Sequence, residues 1–423
     1  MTTRDRGAAL SPWRFIVVFG VVSLLMDVVY EGARSITGPL LASLGASATV
    51  IGVVTGAGEA AALGLRLVSG PLADRTRRFW ALTIGGYALT AASVPLLGLA
   101  GVLWAACALV IAERVGKAVR SPAKDTLLSH ATATTGRGRG FAVHEALDQI
   151  GAFVGPLTVA GVLAVTADDY APALGVLAVP GVAAMAILLW LRARVPAPAD
   201  YEPEPAEPEP AEPAEPAGPA GPGEFVGRAG APPPERDAAV PALPRAFVVY
   251  AAFTAVTMTG FATFGVLSFH LVQRHLLAAD LVPVVYAGAM AADAFSALAN
   301  GWLYDRVGPR ALAVLPVLSA AVPVLAFTGS LALAVVGALV WGAAVGIQES
   351  TLRAVVADLV PSRRRATAYG IFAGVLGVAA LAGGALTGAL YDQSVTLLVA
   401  VVAAIQAAAL ALLAVLRGRT AGA

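Results

Sequence analysis

Twelve apolar runs, each about as long as a bilayer-spanning helix, constrain this chain more than any other feature. A bilayer core about 30 Å thick is crossed by about 20 apolar residues as helix. The runs cover roughly residues 13–34, 49–69, 79–99, 102–119, 141–165, 171–191, 245–270, 282–302, 311–328, 331–351, 367–390 and 395–416. They are rich in Ala, Leu, Val and Gly. Glycine at this density would weaken soluble helices, but it suits close helix contact in lipid. The first run is interrupted by Asp27 and Glu31, and no A-x-A site directly follows it. It therefore reads as a retained span and not as a cleaved signal peptide.

Composition agrees. The chain is 58% hydrophobic and 13% charged, against about 45–50% and about 25% in soluble domains. This excludes an ordinary soluble enzyme, a nucleic-acid binder and a disordered chain. A single cysteine, Cys107, excludes an internal disulfide and a Cys-based metal site. No Walker loop, H-E-x-x-H or G-x-S-x-G pattern stands out, so neither an ATP-driven pump nor an enzyme is indicated. No cofactor or metal is expected.

Arginine placement predicts the orientation. Alternate loops hold Arg75, Arg77 and Arg78; Lys124, Arg137 and Arg139; Arg306 and Arg310; and Arg363, Arg364 and Arg365. Arg4, Arg6, Arg417 and Arg419 add both termini to that side, and Arg274 is the clear exception on the other. These loops and both termini are thus expected in the cytoplasm, in a multi-pass protein of the cytoplasmic membrane. Residues 196–244 are a Pro/Glu-rich tether with ten acids and two arginines, a composition that stays extended and buries no core. The net charge of +1 is therefore a basic body and an acidic linker.

The halves repeat at an offset near 230 residues. GPLADRTRR at 70–78 follows span two, and GWLYDRVGPR at 301–310 follows span eight. Asp74 then corresponds to Asp305 and Arg75 to Arg306. RSPAK at 120–124 lies opposite ESTLR at 349–353, and Gly155 opposite Gly384. The expected plan is an all-α membrane protein of twelve transmembrane helices in two pseudo-symmetric six-helix halves. Residues 1–195 and 245–423 form the halves and 196–244 the linker. Such repeats place a substrate site between them.

The chain resembles the major facilitator superfamily over all twelve spans. The superfamily's loop signature, G-x-L-a-D-R-x-G-R-R, is met by Gly70, Leu72, Asp74, Arg75 and Arg78, with Arg77 where glycine is usual. Its span-four signature, R-x-x-Q-G, is matched only by Arg114, with Lys117 and Ala118 as departures. GAFVGPLTVAG supplies Gly151, Gly155, Pro156 and Gly161 of the antiporter signature of span five, without its terminal double glycine. The resemblance implies a secondary transporter and, through span five, proton-driven export. It also implies that Asp74 latches the halves together on the cytoplasmic side.

Charges inside spans are costly and mark cavities or pathways. Spans three, six, nine and twelve carry none in their cores, as outer helices should. Span one carries Asp27, Glu31 and Arg34 on one face, expected in its outer half. Span two carries Glu59, with Arg66 two turns on. One of the carboxylates Asp27, Glu31 and Glu59 is expected to carry a coupling proton, against the alternative of a permanent ion pair such as Glu31 with Arg34. Asp293, alone in span eight, is a further candidate. Glu113, Arg114, Lys117 and Arg120 close span four, and His144, Glu145 and Asp148 open span five. Their salt bridges would form an inner gate, with Glu349 and Arg353 contributing from span ten. Phe261, Phe264 and Phe269 either line a cavity for a lipophilic solute or merely pack. Gly151, Gly155 and Pro156, with the span-eleven glycines, would let helices approach closely.

The expected function is proton-coupled efflux of a small organic solute by a monomer that needs only the bilayer and the proton gradient. The in-span acids hint at cationic or neutral solutes, a hint blunted by Arg34, Arg66 and Arg114. A proton-coupled uptake permease is the alternative. A non-transporting receptor or scaffold that recruits a partner through the linker is the alternative of another class.

Overall fold

A computed structural model describes residues 10–201, 243–361 and 364–420, with some side chains left out. The tether between 202 and 242 and the terminal arginines Arg4 and Arg6 lie outside the described residues, as do Arg363 and the side chains of Arg137 and Arg353.

The first half comprises α1 (Pro12–Ser43), α2 (Ala48–Gly64), α3 (Arg66–Thr76), α4 (Phe79–Gly98), α5 (Leu103–Thr135), α6 (Arg137–Val165), α7 (Tyr170–Gly175) and α8 (Ala178–Arg194). The second comprises α9 (Arg245–Thr259), α10 (Phe264–Gln273), α11 (Val282–Val307), α12 (Val314–Ala326), α13 (Leu331–Leu359), α14 (Arg365–Gln393) and α15 (Val395–Thr420). Three spans are split, into α2–α3, α7–α8 and α9–α10. Among the described residues, ten segments are long and apolar enough to cross a bilayer. One of them, Ala279–Ala326, holds both α11 and α12. With the charge-bearing α5, the helices follow the twelve-span plan. Exposed apolar side chains such as Phe295 and Leu298, each 76% exposed, suit a surface solvated by lipid.

Helix starts follow local chemistry. Ser11 and Ser47 accept hydrogen bonds from the Arg14 and Val50 amides, capping α1 and α2. Several helices run past the apolar runs, α1 and α5 furthest, with 32 and 33 residues. Asp27 falls at the middle of α1, and Glu31 and Arg34 fall in the half that follows, toward the α1–α2 turn. Glu113, Arg114, Lys117 and Arg120 fall in the middle of α5, not at its end. Lys124, read above as a loop residue, also lies within α5.

The halves are tied together at the face bearing the α1–α2 turn. Asp392 at the end of α14 accepts from the amides of Ala48 (3.2 Å) and Thr49 (2.8 Å) at the start of α2. Glycines set the seam between α2 and α14. A Cβ at Gly52 would collide with the backbone of Gly384, and one at Gly388 with that of Ala48. Inside the first half, Gly151 and Gly155 of α6 lie equally close to α1, against Leu24 and Val28. At the arginine-rich face, Asp74, Arg75, Arg78, Asp305 and Arg306 are exposed. Among the described residues no ion pair joins the halves there, and the Arg306 guanidinium lies 3.7 Å over the Trp302 ring instead. Among the described residues, no hydrogen bond or ion pair of Asp74 makes the cytoplasmic latch implied for it.

The first half also extends past residue 195. A 3-10 turn at Pro198–Tyr201 packs back, with the Tyr201 hydroxyl donating to the Leu10 carbonyl at 2.6 Å. The tether thus starts beyond Tyr201.

Candidate functional site: a cavity between the halves

Span seven breaks where the site forms. α9 ends at Thr259 and α10 begins at Phe264. Non-helical backbone at this depth needs partners other than water, and they are present. Trp341 Nε1 donates to the Ala262 carbonyl (2.8 Å) and Gln406 Nε2 to the Thr257 carbonyl (2.9 Å). The Thr55 hydroxyl of α2 donates to that of Thr263 (2.9 Å). The break turns Met258, Phe261, Thr263 and Phe264 toward a cavity between the halves, where the non-atom space, open solvent included, is about 820 Å³. Discontinuous helices between repeats are where transporters build binding sites.

The cavity has two unlike walls. The first half supplies Arg34, Glu59 and Arg114, with Thr37 and Thr55. The second supplies Phe261, Phe264 and Trp341, with Val345, Gln348 and Glu349. The Phe264 and Trp341 rings lie 5.2 Å apart, and Phe264 meets Tyr286 edge-on at 4.6 Å. Phe269 is elsewhere, edge-on to Tyr391. Only two of the three phenylalanines singled out above therefore line the space.

On the charged wall, Arg34 Nη2 (3.1 Å) and Arg114 Nη1 (3.0 Å) both donate to Oε1 of Glu59. Glu59 Oε2 makes no hydrogen bond among the described residues. Each arginine has a second acid: Glu31 for Arg34 at 3.6 Å, and Glu113 for Arg114 at 3.2 Å. Tyr30 binds the group together. Its hydroxyl accepts from Arg114, and Lys117 Nζ stands 3.9 Å over its ring. Tyr286 of α11 donates to Glu31 and carries the network into the second half.

The structure thus regroups the charges read from sequence. Besides Arg66 further along its own span, Glu59 meets two arginines brought by helices α1 and α5. Arg66 sits past the α2–α3 break, with Nη2 3.4 Å from the Ser121 hydroxyl. Arg114 lines the central cavity, and Glu113 and Lys117 are linked to it through Arg114 and the Tyr30 ring. Arg120 lies over the Tyr87 ring at 4.6 Å.

Span five finds a different partner from span four. Lys124 Nζ lies 3.6 Å from Asp148 Oδ2 and 3.0 Å from His144 Nε2. His144 also meets the Ser23 hydroxyl at 3.2 Å, and Ser23 meets the Tyr87 hydroxyl at 3.1 Å. Glu145 is exposed and accepts from Gln149 at 3.4 Å. In the second half, Asp293 is buried against Gly346 of α13, and its Oδ1 has no hydrogen-bond partner. Glu349 lies at the exposed edge of the cavity. Arg353 lies in α13.

Reasoning from charge alone missed Tyr30, Tyr286, Trp341 and the Thr55–Thr263 pair. The signal for the aromatics was their spacing from charged residues: Tyr30 precedes Arg34 by four residues on the same face. For Trp341 and Thr263 the signal was Gly260, which interrupts an otherwise continuous span.

Two six-helix halves enclosing a cavity at a broken helix define a secondary transporter, not an enzyme. The chain belongs to the Major Facilitator Superfamily, whose sequence profile matches residues 21–292 and 249–422. An uncharacterized protein of Mycobacterium tuberculosis is 64% identical over 409 residues, 97% of this chain and 94% of the relative. An uncharacterized MFS-type transporter of Methanocaldococcus jannaschii is 29% identical over 140 residues, 33% of this chain and 35% of its own length. Among solved structures, nucleoside transporter NupG superposes with a TM-score of 0.67 at 12% identity, covering 96% of this chain and 98% of NupG. A bacterial homologue of the human lysosomal transporter Spinster, inward-facing and unoccupied, gives 0.64 at 14% identity, covering 93% and 84%. At these identities the likeness is one of fold.

Proposed function

We propose that this transporter moves a small organic solute by alternating access and couples that movement to protons through Glu59. The observation that carries the reading is the shared Oε1: one carboxylate neutralises two guanidiniums from two other helices. A proton arriving at the uncommitted Oε2 weakens both ion pairs together and changes what the cavity can bind. The groups acting on Glu59 are Arg34 and Glu31 from α1, Arg114, Glu113 and Lys117 from α5, and Arg66 beyond the α2–α3 break. Glu349 faces it across the cavity.

A proton on Glu59 prepares the site for a solute, so proton and solute travel together. Cotransport, the uptake reading, is therefore favoured by the cavity. Export in exchange for protons is the second reading, and the span-five glycine stretch favours it. In this proposal the protein is a monomer of the cytoplasmic membrane, its arginine-rich face and termini are cytoplasmic, and the cavity is drawn facing inward.

Proteoliposomes loaded with pyranine and challenged with a panel of organic solutes test the coupling. A transported solute should move protons with the wild type and not with Glu59→Gln. The sign of the pyranine change separates cotransport from exchange. Solute flux without proton movement, unaltered in Glu59→Gln, would sink the proposal.

A further inference from the structure

The cavity carries information on substrate class, which deepens the reading just given and rests on its placement of the site. The charged wall holds three cations, Arg34, Arg114 and Lys117, and three acids, Glu31, Glu59 and Glu113, linked by the contacts above. The sharing is uneven. Glu59 uses one oxygen for two guanidiniums, whereas a substrate carboxylate offers two. Guanidinium groups match carboxylates in a planar, two-point fashion. Glu59 therefore occupies the position an incoming carboxylate would take. Its side chain is 31% exposed, compared with 19% for Arg34 and 7% for Arg114, so it is the partner most open to the cavity and the arginines are the more deeply set ones.

Two further features point to an anion. α10, a helix of ten residues, starts at the cavity, with Thr263, Phe264 and Gly265 among the lining. The partial positive charge of its N-terminus adds to that of the arginines. Among the described residues, the second half brings aromatic and aliphatic surface to the wall, with Thr263 and Gln348 and, at the exposed edge, Glu349. Phe261, Phe264 and Trp341 form an apolar wall across from the guanidiniums, with the Phe264 and Trp341 rings tilted by 49° to each other, suited to an aromatic or branched body.

We infer that the substrate is an organic monocarboxylate with an aromatic or branched apolar body. Its carboxylate binds Arg34 and Arg114 in place of Glu59, and its body lies on the Phe261–Phe264–Trp341 face. A cationic amphiphile would meet two deeply set guanidiniums and pay their repulsion. The displaced Glu59 takes up a proton, so anion binding strengthens as pH falls.

The probe is 1-naphthoate, with 1-naphthylmethanol and 1-naphthylmethylammonium as neutral and cationic counterparts of similar size. Equilibrium binding to the purified full chain is measured in detergent between pH 5.5 and 8, where 1-naphthoate itself stays ionised. The naphthoate should bind at least tenfold more tightly than either counterpart and more tightly at low pH. Glu59→Gln should bind it as tightly at pH 8 as the wild type does at pH 5.5. Arg34→Gln should lose the preference for naphthoate over the alcohol. Equal or tighter binding of the ammonium compound, or naphthoate binding indifferent to Arg34→Gln, overturns the inference. The three-ligand comparison on the wild type stands even if a variant fails to fold. Binding is read without a gradient, so a failure of proton coupling and a failure of the substrate class give different results: the first leaves the naphthoate preference intact, and the second abolishes it.

Discussion

Asp392 and Thr49 close one face of this transporter: a single carboxylate oxygen accepts from both the amide and the hydroxyl of Thr49, at 2.8 and 2.6 Å. The two residues belong to different halves. The bond therefore exists only while the halves meet at that face, and under the alternating access proposed above it breaks when that face opens.

Removing it should open that face. Hydrogen bonds to a charged group contribute about 1.5–3 kcal/mol each when shielded, and less at this partly exposed site. Asp392→Ala should move the equilibrium between the two access states by roughly tenfold, about 1.4 kcal/mol. Accessibility of single cysteines placed near the cavity to a membrane-impermeant thiol reagent, in a Cys107→Ser background, reads this out. Unchanged labelling would show that the glycine seam alone holds the face closed.

The seam itself can be tested at Gly52. A side chain there meets the Gly384 backbone, with its carbonyl carbon only 2.9 Å from an added Cβ. Backbone has no rotamer with which to yield. Gly52→Val should hold α2 and α14 apart, leave folding of each half intact and slow transport by an order of magnitude or more. Gly64→Val, where nothing lies within 4 Å of the added atom, is the control.

The Lys124–Asp148 pair is one-sixth exposed on each side. Breaking a buried pair from one side typically costs about 3–5 kcal/mol, whereas removing both partners costs much less. Lys124→Ala should lower the melting temperature markedly, and Lys124→Ala with Asp148→Ala should restore part of it. A double variant as unstable as the sum of the single ones would mean that the charges do not interact.

Arg77 and Gly308 occupy matching places in the two repeats, and both have positive φ, 51° and 62°. Their ψ values differ. At 21°, Arg77 is in the left-handed helical region, where a side chain costs about 1–2 kcal/mol. At −142°, Gly308 is in a region essentially closed to other residues. Arg77→Gly should therefore be neutral or stabilising by up to about 1 kcal/mol, and Gly308→Ala destabilising by about 1–3 kcal/mol. Thermal unfolding in detergent separates the two.

Much of the architecture was legible in the apolar runs. Lipid demands about 20 apolar residues per crossing, and that demand is local in sequence. The repeat was legible through Asp74-Arg75 and Asp305-Arg306, because both copies end a helix in the same way. The candidate site was only partly legible. Glu59, Arg34 and Arg114 stand out as charges in spans, yet they are 25 and 55 residues apart from Glu59, and nothing local says that they share one oxygen. Helix length misled most for α1 and α5, which run furthest past their apolar runs.

By itself, then, the sequence determined the spans, the two-fold repeat, the basic and acidic segregation and the residues available for chemistry. These follow from transfer energies and periodicities that act over a few turns. Tertiary structure alone decided which charges neutralise which, that span seven opens at Gly260 and that an aromatic face confronts two arginines. Those outcomes depend on the register between α1, α2, α5, α9 and α13. Register is fixed by glycine contacts and side-chain packing summed over the whole bundle.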